Sequence, residues 1–159
     1  MRNAQIAPGF VLADAQGIFR MPKPDRKMIA QTMRSMDLCM MTTHGPDGTL
    51  NSRPMSKNAQ VDYDGDSYYF TSPDTRKLRD IDRDDHVALD FQSDGVWLTI
   101  RGTASVHDDP ELIKEHWTPD IEKWFGHGPD EQDGVLIVKV TATEAELYGE
   151  NEGVVDMGG

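Results

Sequence analysis

Apolar residues recur along this chain with two periods. From Asp25, the positions Met28, Ile29, Thr32, Met33 and Met36 return every three or four residues, the spacing of an amphipathic helix, and Pro24 suits its first turn. After Met36 the pattern becomes strand-like. Residues 38–43 predict a strand, residues 44–48 a turn, residues 49–61 a second strand and residues 67–71 an aromatic-rich third. Residues 87–92 and 96–106 predict two more, and the alternating stretch 135–148 a long closing strand. The pairs Asp47-Gly48, Asp64-Gly65 and Asp94-Gly95 fall between these runs and indicate antiparallel hairpins rather than βαβ units. Three short helical patterns interrupt them. Ser72-Pro73-Asp74-Thr75 carries a cap signal ahead of Leu78 and Ile81, and Asp109-Pro110-Glu111 one ahead of Leu112, Ile113, His116 and Trp117. A further short helix holds Ile121, Trp124 and Phe125. About six antiparallel strands with short helices at the crossings predict a mainly β, α+β domain, a small closed or partly closed barrel over residues 24–148. Residues 1–23 read as an irregular arm and residues 149–159 as an acidic, mobile tail.

Composition narrows the function classes. The 159 residues, with three Trp, four Tyr and five Phe, supply one real core. A net charge of −12 argues against a nucleic-acid or anionic-membrane binder. That charge is uneven, because from His107 onward three basic residues face fourteen acidic ones. Any anion site therefore belongs in the first two thirds. Cys39, the single cysteine, lies in an apolar run and reads as a buried, inert thiol. No apolar run reaches the roughly 18 residues of a membrane span and no signal-peptide pattern opens the chain, so a cytoplasmic location is expected.

Several familiar chemistries have no support. The sequence contains no Gly-x-Gly-x-x-Gly or Walker loop, no His-Glu-x-x-His pair and no Gly-x-Ser-x-Gly elbow, and the five histidines are not spaced as metal ligands. His-Gly-Pro-Asp occurs at both 44–47 and 127–130 and reads as turn chemistry used twice. No metal site is expected.

The informative stretch runs from Ser52 to Arg83, where Arg53, Lys57, Arg76, Lys77, Arg79 and Arg83 form a basic cluster in an acidic protein. Arg76 and Lys77 fall in the first turn of the helix that follows the strand ending at Phe70-Thr71. Free backbone N–H groups, the positive end of the helix dipole and two cations together suit a phosphate, with Ser72 and Thr75 as further donors. An ordinary capped surface helix whose cations pair with Asp80 or Asp82 accounts for the same residues. Arg53, beside Pro54 in a predicted strand, suits either a ligand-lining backbone or a solvent-facing edge. Trp97, Trp117, Trp124 and Phe125 are core or interface material by default, but Trp124-Phe125 stands in a Gly- and Pro-flanked stretch suited to covering a flat ring.

In order and spacing these motifs resemble the flavin-binding split-barrel superfamily of pyridoxamine 5'-phosphate oxidase, in particular its general stress protein branch. The resemblance rests on Met41-Thr42-Thr43, Ser52-Arg53-Pro54-Met55, Tyr69-Phe70-Thr71-Ser72, Thr75-Arg76-Lys77-Leu78, Val87-Ala88-Leu89, Arg101-Gly102-Thr103-Ala104 and Trp117 with Trp124-Phe125, covering residues 25–148. It implies a split β-barrel homodimer with FMN at the subunit interface; FAD or deazaflavin is the alternative cofactor. By carry-over, Arg53, Pro54, Met55, Ser56 and Lys57 line the ring and its polar edge, and Phe70 and Thr71, with Ser72 beside them, present backbone to it. Thr75, Arg76 and Lys77 hold the phosphate, Trp97 stands where oxidase-type members carry a glutamine near the flavin, and Trp124 reaches across from the partner subunit. The C-terminal segment that supplies the oxidase's substrate-binding arginine is not recognisable, so pyridoxamine phosphate oxidation is not expected. Gly126 replaces the proline usual after Trp-Phe in this branch. The function implied is an FMN-dependent oxidoreductase, with no catalytic acid or base identified. A non-catalytic module that stores or senses flavin, and the same fold holding deazaflavin or haem, are the other readings.

Overall fold

The computed structural model of the chain describes residues 12–13, 19–57, 62–131 and 134–158. The arm expected at 1–23 therefore lies largely outside the described residues; within it Leu12–Ala13 (β1) and Phe19–Arg20 (β2) pair as an antiparallel ribbon. Helix α1 spans Arg26–Ser35. Pro24 stands outside it rather than in its first turn. Asp25 starts the helix, its carboxylate accepting the Met28 N–H at 2.8 Å.

Seven strands follow: β3 (Leu38–His44), β4 (Leu50–Ser56), β5 (Asp66–Thr71), β6 (His86–Ser93), β7 (Val96–His107), β8 (Leu136–Tyr148) and β9 (Gly153–Asp156). They form one antiparallel sheet in the order β4-β3-β6-β7-β8-β5, with β9 also on β8. Three helices interrupt them: α2 (Arg76–Arg83), α3 (Pro110–His116) and α4 (Pro119–Phe125). The result is a split-barrel α+β fold whose sheet does not close. Among the described residues no helix is long and apolar enough to cross a membrane.

Two of the three Asp-Gly pairs make the hairpins expected of them, β3–β4 and β6–β7. Asp64-Gly65 does not. It precedes β5, which pairs with β8 and not with β4, so β4 and β5 are left as the two ends of the strand order. The segment after Tyr148, expected to be mobile, instead carries β9, held on β8 from Glu144↔Asp156 to Leu147↔Gly153.

Register sorts the side chains into an inner and an outer face. The inner rows run Met55–Cys39–Phe91–Leu98–Leu147 and Arg53–Met41–Leu89–Ile100–Ala145–Val155, and apart from Arg53 all of these residues are buried. Ile29, Met33 and Met36 of the first helical segment and Ile81 of α2 pack into the same core. A smaller core of Ile113, Val135 and Ile137 gathers Tyr68, Phe70, Trp117 and Phe125, seating α3 and α4 against β5 and β8.

Two local devices hold this arrangement. The first is a bulge: Arg101 faces Glu144 while Gly102 faces Ala142, so Thr143 is the extra residue, its hydroxyl donating to the Arg101 carbonyl at 3.1 Å. A Cβ on Gly102 would fall on the Thr141 carbonyl oxygen, which leaves glycine as the one residue that fits. The second is Asp80 of α2, 1% exposed, whose Oδ2 accepts from Thr43 Oγ1 at 2.8 Å and Asn51 Nδ2 at 2.9 Å. Arg53 and Arg83 lie 3.7 and 3.6 Å from the same carboxylate. Burial by itself raises the Asp80 pKa, but the bonds from Asn51 and Thr43 and the two guanidinium groups outweigh it and hold the group below the ordinary carboxylate value.

Three outcomes are expected. Gly102→Ala lowers unfolding free energy by about 1–3 kcal/mol or more in a denaturant titration, because the backbone of β7 and β8 must part. Asp80→Ala, which strands Arg53, the buried Thr43 hydroxyl and the Asn51 amide, costs about 3–5 kcal/mol. The depressed pKa of Asp80 also gives stability that is fully present above the unfolded carboxylate's value of about 3.9 and is lost as pH falls through the folded value. Melting curves of Asp80→Asn across that acid range are expected to fall less steeply with pH than those of the wild type.

Candidate functional site

Sheet edges leave backbone donors and acceptors without partners, and here the two end strands face one another across an open seam. At one stretch of that seam Pro54, Met55 and Ser56 of β4 lie opposite Phe70, Thr71 and Ser72 at the end of β5. Ile121, Trp124 and Phe125 of α4 and Leu38 of β3 complete a cleft of ≈ 360 Å³. Its walls are mostly apolar, and flat aromatic side chains dominate one of them. Phe70 meets Trp117 edge-on with ring centroids 5.6 Å apart, and Trp117 in turn packs on Phe125 at 6.2 Å, so the aromatic wall is braced from behind. Trp124 stands on this wall with 87% of its surface exposed.

Next to the cleft along the chain, where Arg53 precedes Pro54 and Thr75 follows Ser72 by three residues, lies a cationic group. Thr75 caps α2 by position but makes no side-chain cap bond, and its buried hydroxyl has no hydrogen-bond partner. Arg76 and Lys77 follow in the first turn, close enough to Arg53 for their charges to be felt. Burial first, then Arg53, lowers the Lys77 pKa; burial also lowers that of Arg53, with Asp80 opposing and Arg76 adding to it. Arg53 is oriented by a 3.1 Å bond to the Met41 carbonyl as well as by Asp80. Arg53 facing two like charges, a helix start and an orphaned hydroxyl form a place where an anionic group is stabilised from several sides. Arg76 also opens onto a second groove with Thr49, Asn51, Arg79 and Arg83. There Arg79 donates to the Asp74 carbonyl at 2.9 Å.

Of the residues singled out from sequence, Pro54, Met55, Ser56, Phe70, Thr71, Ser72 and Trp124 meet in the cleft, and Arg53, Thr75, Arg76 and Lys77 form the cationic end. Trp124, expected from a partner subunit, already lines the cleft of its own chain. Two residues lie elsewhere. Trp97 is on the outer face of β7, half-exposed, opposite Gln92 and Tyr148. Lys57 turns inward, because it shares the strand face of Arg53 and Met55, and lines a separate small cavity. The sequence reading missed Leu38 and Ile121 as cleft residues. Leu38 was signalled by its place in an apolar run whose alternate members must face outward, and it is 68% exposed. Asp80 was missed as a buried group, since its partners Thr43 and Asn51 are 37 and 29 residues away.

Comparison with known proteins agrees with this fold. A family profile described as pyridoxamine 5'-phosphate oxidase like matches residues 25–158. Protein bli-3 of Neurospora crassa is 30% identical over 135 residues, covering 77% of this chain, while the chain spans 65% of that relative. A Clostridium acetobutylicum protein related to general stress protein 26 superposes with a TM-score of 0.68 at 19% identity, over 79% of this chain and 89% of its own. The general stress FMN/FAD binding protein of Xanthomonas citri gives a TM-score of 0.66 at 20% identity, over 80% of this chain and 90% of its own. With the profile matching nearly the whole described domain, the chain belongs to the pyridoxamine 5'-phosphate oxidase-like family.

Proposed function

We propose that this protein is an FMN-binding flavoprotein of the general stress type that acts as an oxidoreductase, with the flavin held where two copies meet. The observation that carries the reading is the apolar, aromatic-walled cleft of Pro54–Ser56 and Phe70–Ser72, next along the chain to three cations, Arg53, Arg76 and Lys77, and to the unpartnered Thr75 hydroxyl. A ring with a phosphate tail has these two halves. Arg53, Arg76 and Lys77 with Thr75 would hold the phosphate; Pro54 to Ser56 would flank the ring, and Phe70 to Ser72 would offer edge-strand backbone to its polar rim. The flavin, when bound, supplies hydride or electron transfer. The chain's own part is to orient the ring, keep water from it with Phe70, Phe125 and Trp124, and neutralise the phosphate. No side chain in the cleft is a strong candidate for acid or base, and a non-catalytic flavin carrier is the competing reading.

The outer face of the sheet supports a second copy. Leu38, Met40, Trp97, Tyr148 and Val154 are all substantially exposed there, interspersed with Asp90, Gln92, Thr99 and Glu146, and Leu38 also lines the cleft. A partner covering it would bring Trp97 toward the flavin, which its position in one chain does not do. FAD is the second cofactor reading, favoured by the groove that continues past Arg76 with Arg79 and Arg83 and has the charge for another phosphate.

Purified protein is expected to show a flavin absorption spectrum, or to quench added FMN saturably; a colourless protein indifferent to FMN overturns the reading. Changing Arg76 and Lys77 together to Ala is expected to weaken FMN at least tenfold while changing riboflavin little, since charge-assisted bonds contribute about 1.5–3 kcal/mol each. Equal loss for both ligands would remove the phosphate assignment. Reduction of bound flavin by a nicotinamide donor, followed by reoxidation with an acceptor, separates enzyme from carrier.

A further inference from the structure

A second cavity, of ≈ 40 Å³, lies further along the same seam, where Lys57 at the end of β4 approaches Ser67 and Tyr68 of β5, and it shares the Phe70 wall with the cleft. Three hydroxyls that line it, Tyr63 Oη, Ser67 Oγ and Thr118 Oγ1, are buried without a hydrogen-bond partner. Each such group costs free energy until something pairs with it. Lys57 is 9% exposed, and among the described residues its ammonium has no ion pair or hydrogen bond. Asp37 attracts the ammonium from outside contact distance, while its Oδ1 takes the Ser56 hydroxyl at 2.6 Å.

A lysine with little exposed surface and an unpaired ammonium, beside three orphaned hydroxyls, suits a counter-ion. We propose that this cavity is a binding site for the carboxylate of a small organic acid, with Lys57 as the charge and Tyr63, Ser67 and Thr118 as hydroxyl donors. Size and charge favour a carboxylate over a phosphate. The space suits a planar group of three heavy atoms, and Asp62 and Asp66 on the same wall penalise a second negative charge. Those two acids have partners of their own: Asp62 is 3.2 Å from Arg34, and Asp66 is bound by Lys139 at 3.0 Å and Thr141 at 2.7 Å. His116, stacked on Tyr68 at 3.8 Å, has its pKa lowered by burial and adds no charge at neutral pH. The inference stands on these residues and not on the flavin, but the shared Phe70 sets the bound acid next to the cleft, where the body of a co-substrate would extend.

The test is a titration of the full-length protein with sodium acetate at constant ionic strength, sodium chloride making up the difference. Calorimetry reads affinity, and ¹³C NMR of labelled lysines reads the Lys57 side chain. Saturable binding with a rise in the Lys57 pKa is expected. Lys57→Met is expected to abolish it, and Ser67→Ala or Thr118→Val to weaken it severalfold with the fold unchanged by circular dichroism. The Arg76/Lys77 double alanine variant is expected to bind acetate as the wild type does, whether or not FMN binds, so the two site assignments fail separately. A non-saturating response, equal displacement by chloride, or Ser67→Ala and Thr118→Val both titrating as wild type would overturn the proposal and leave a water-filled cavity.

Discussion

The site depends on one buried carboxylate. Asp80 reaches from α2 to Thr43 on β3 and Asn51 and Arg53 on β4, so a single group couples a helix to two adjacent strands. Its partners lie on the inner face because β3 and β4 are paired in a particular register, Thr43 opposite Asn51 and Met41 opposite Arg53. A slip of one residue would turn Thr42 or Ser52 inward and leave Asp80 unsatisfied in the core, a penalty that makes the carboxylate a check on register. The same anchor fixes where Arg76 and Lys77 begin their helix and keeps Arg53 beside them. Stability and the cationic end of the site thus share one interaction.

The seam is the complementary constraint. A barrel that joined β4 to β5 would satisfy its backbone edges and leave no room for a ring. Here β5 is drawn instead to β8, and α3 and α4 pack their aromatic side chains against its outward residues Tyr68 and Phe70. The chain thereby keeps two edge strands apart and fills the gap with side chains of graded polarity, from the apolar Pro54 and Met55 to Lys57 and Ser67. What looks like an incomplete fold is the source of both cavities.

Much of this was legible in the sequence. Ser72 to Thr75 followed by Leu78 and Ile81 placed Arg76 and Lys77 at a helix start without reference to anything distant, because caps and helical periods are local. The inward turn of Lys57 was also present in the alternation Arg53, Met55, Lys57. Asp64-Gly65 misled for a physical reason: a turn dipeptide encodes a reversal of the chain, not the strand that receives it. Asp80 was hidden in the same way, since a buried acid is recognisable only from donors far off in the chain. That Leu38, Met40 and Trp97 share the outward face required the register of β3, β6 and β7.

The strand β9 has a consequence beyond closing the chain. Strand β8 pairs with β5 through Thr141 and, past the bulge at Thr143, with β9 from Glu144. Without β9 the last third of β8 would be a bare edge able to recruit the same edge of another molecule. The segment that shields it includes Glu152 and Asp156, and it belongs to a C-terminal region that is strongly negative. An acidic ribbon laid over the vulnerable edge makes sheet extension between copies unfavourable twice, by occupation and by repulsion.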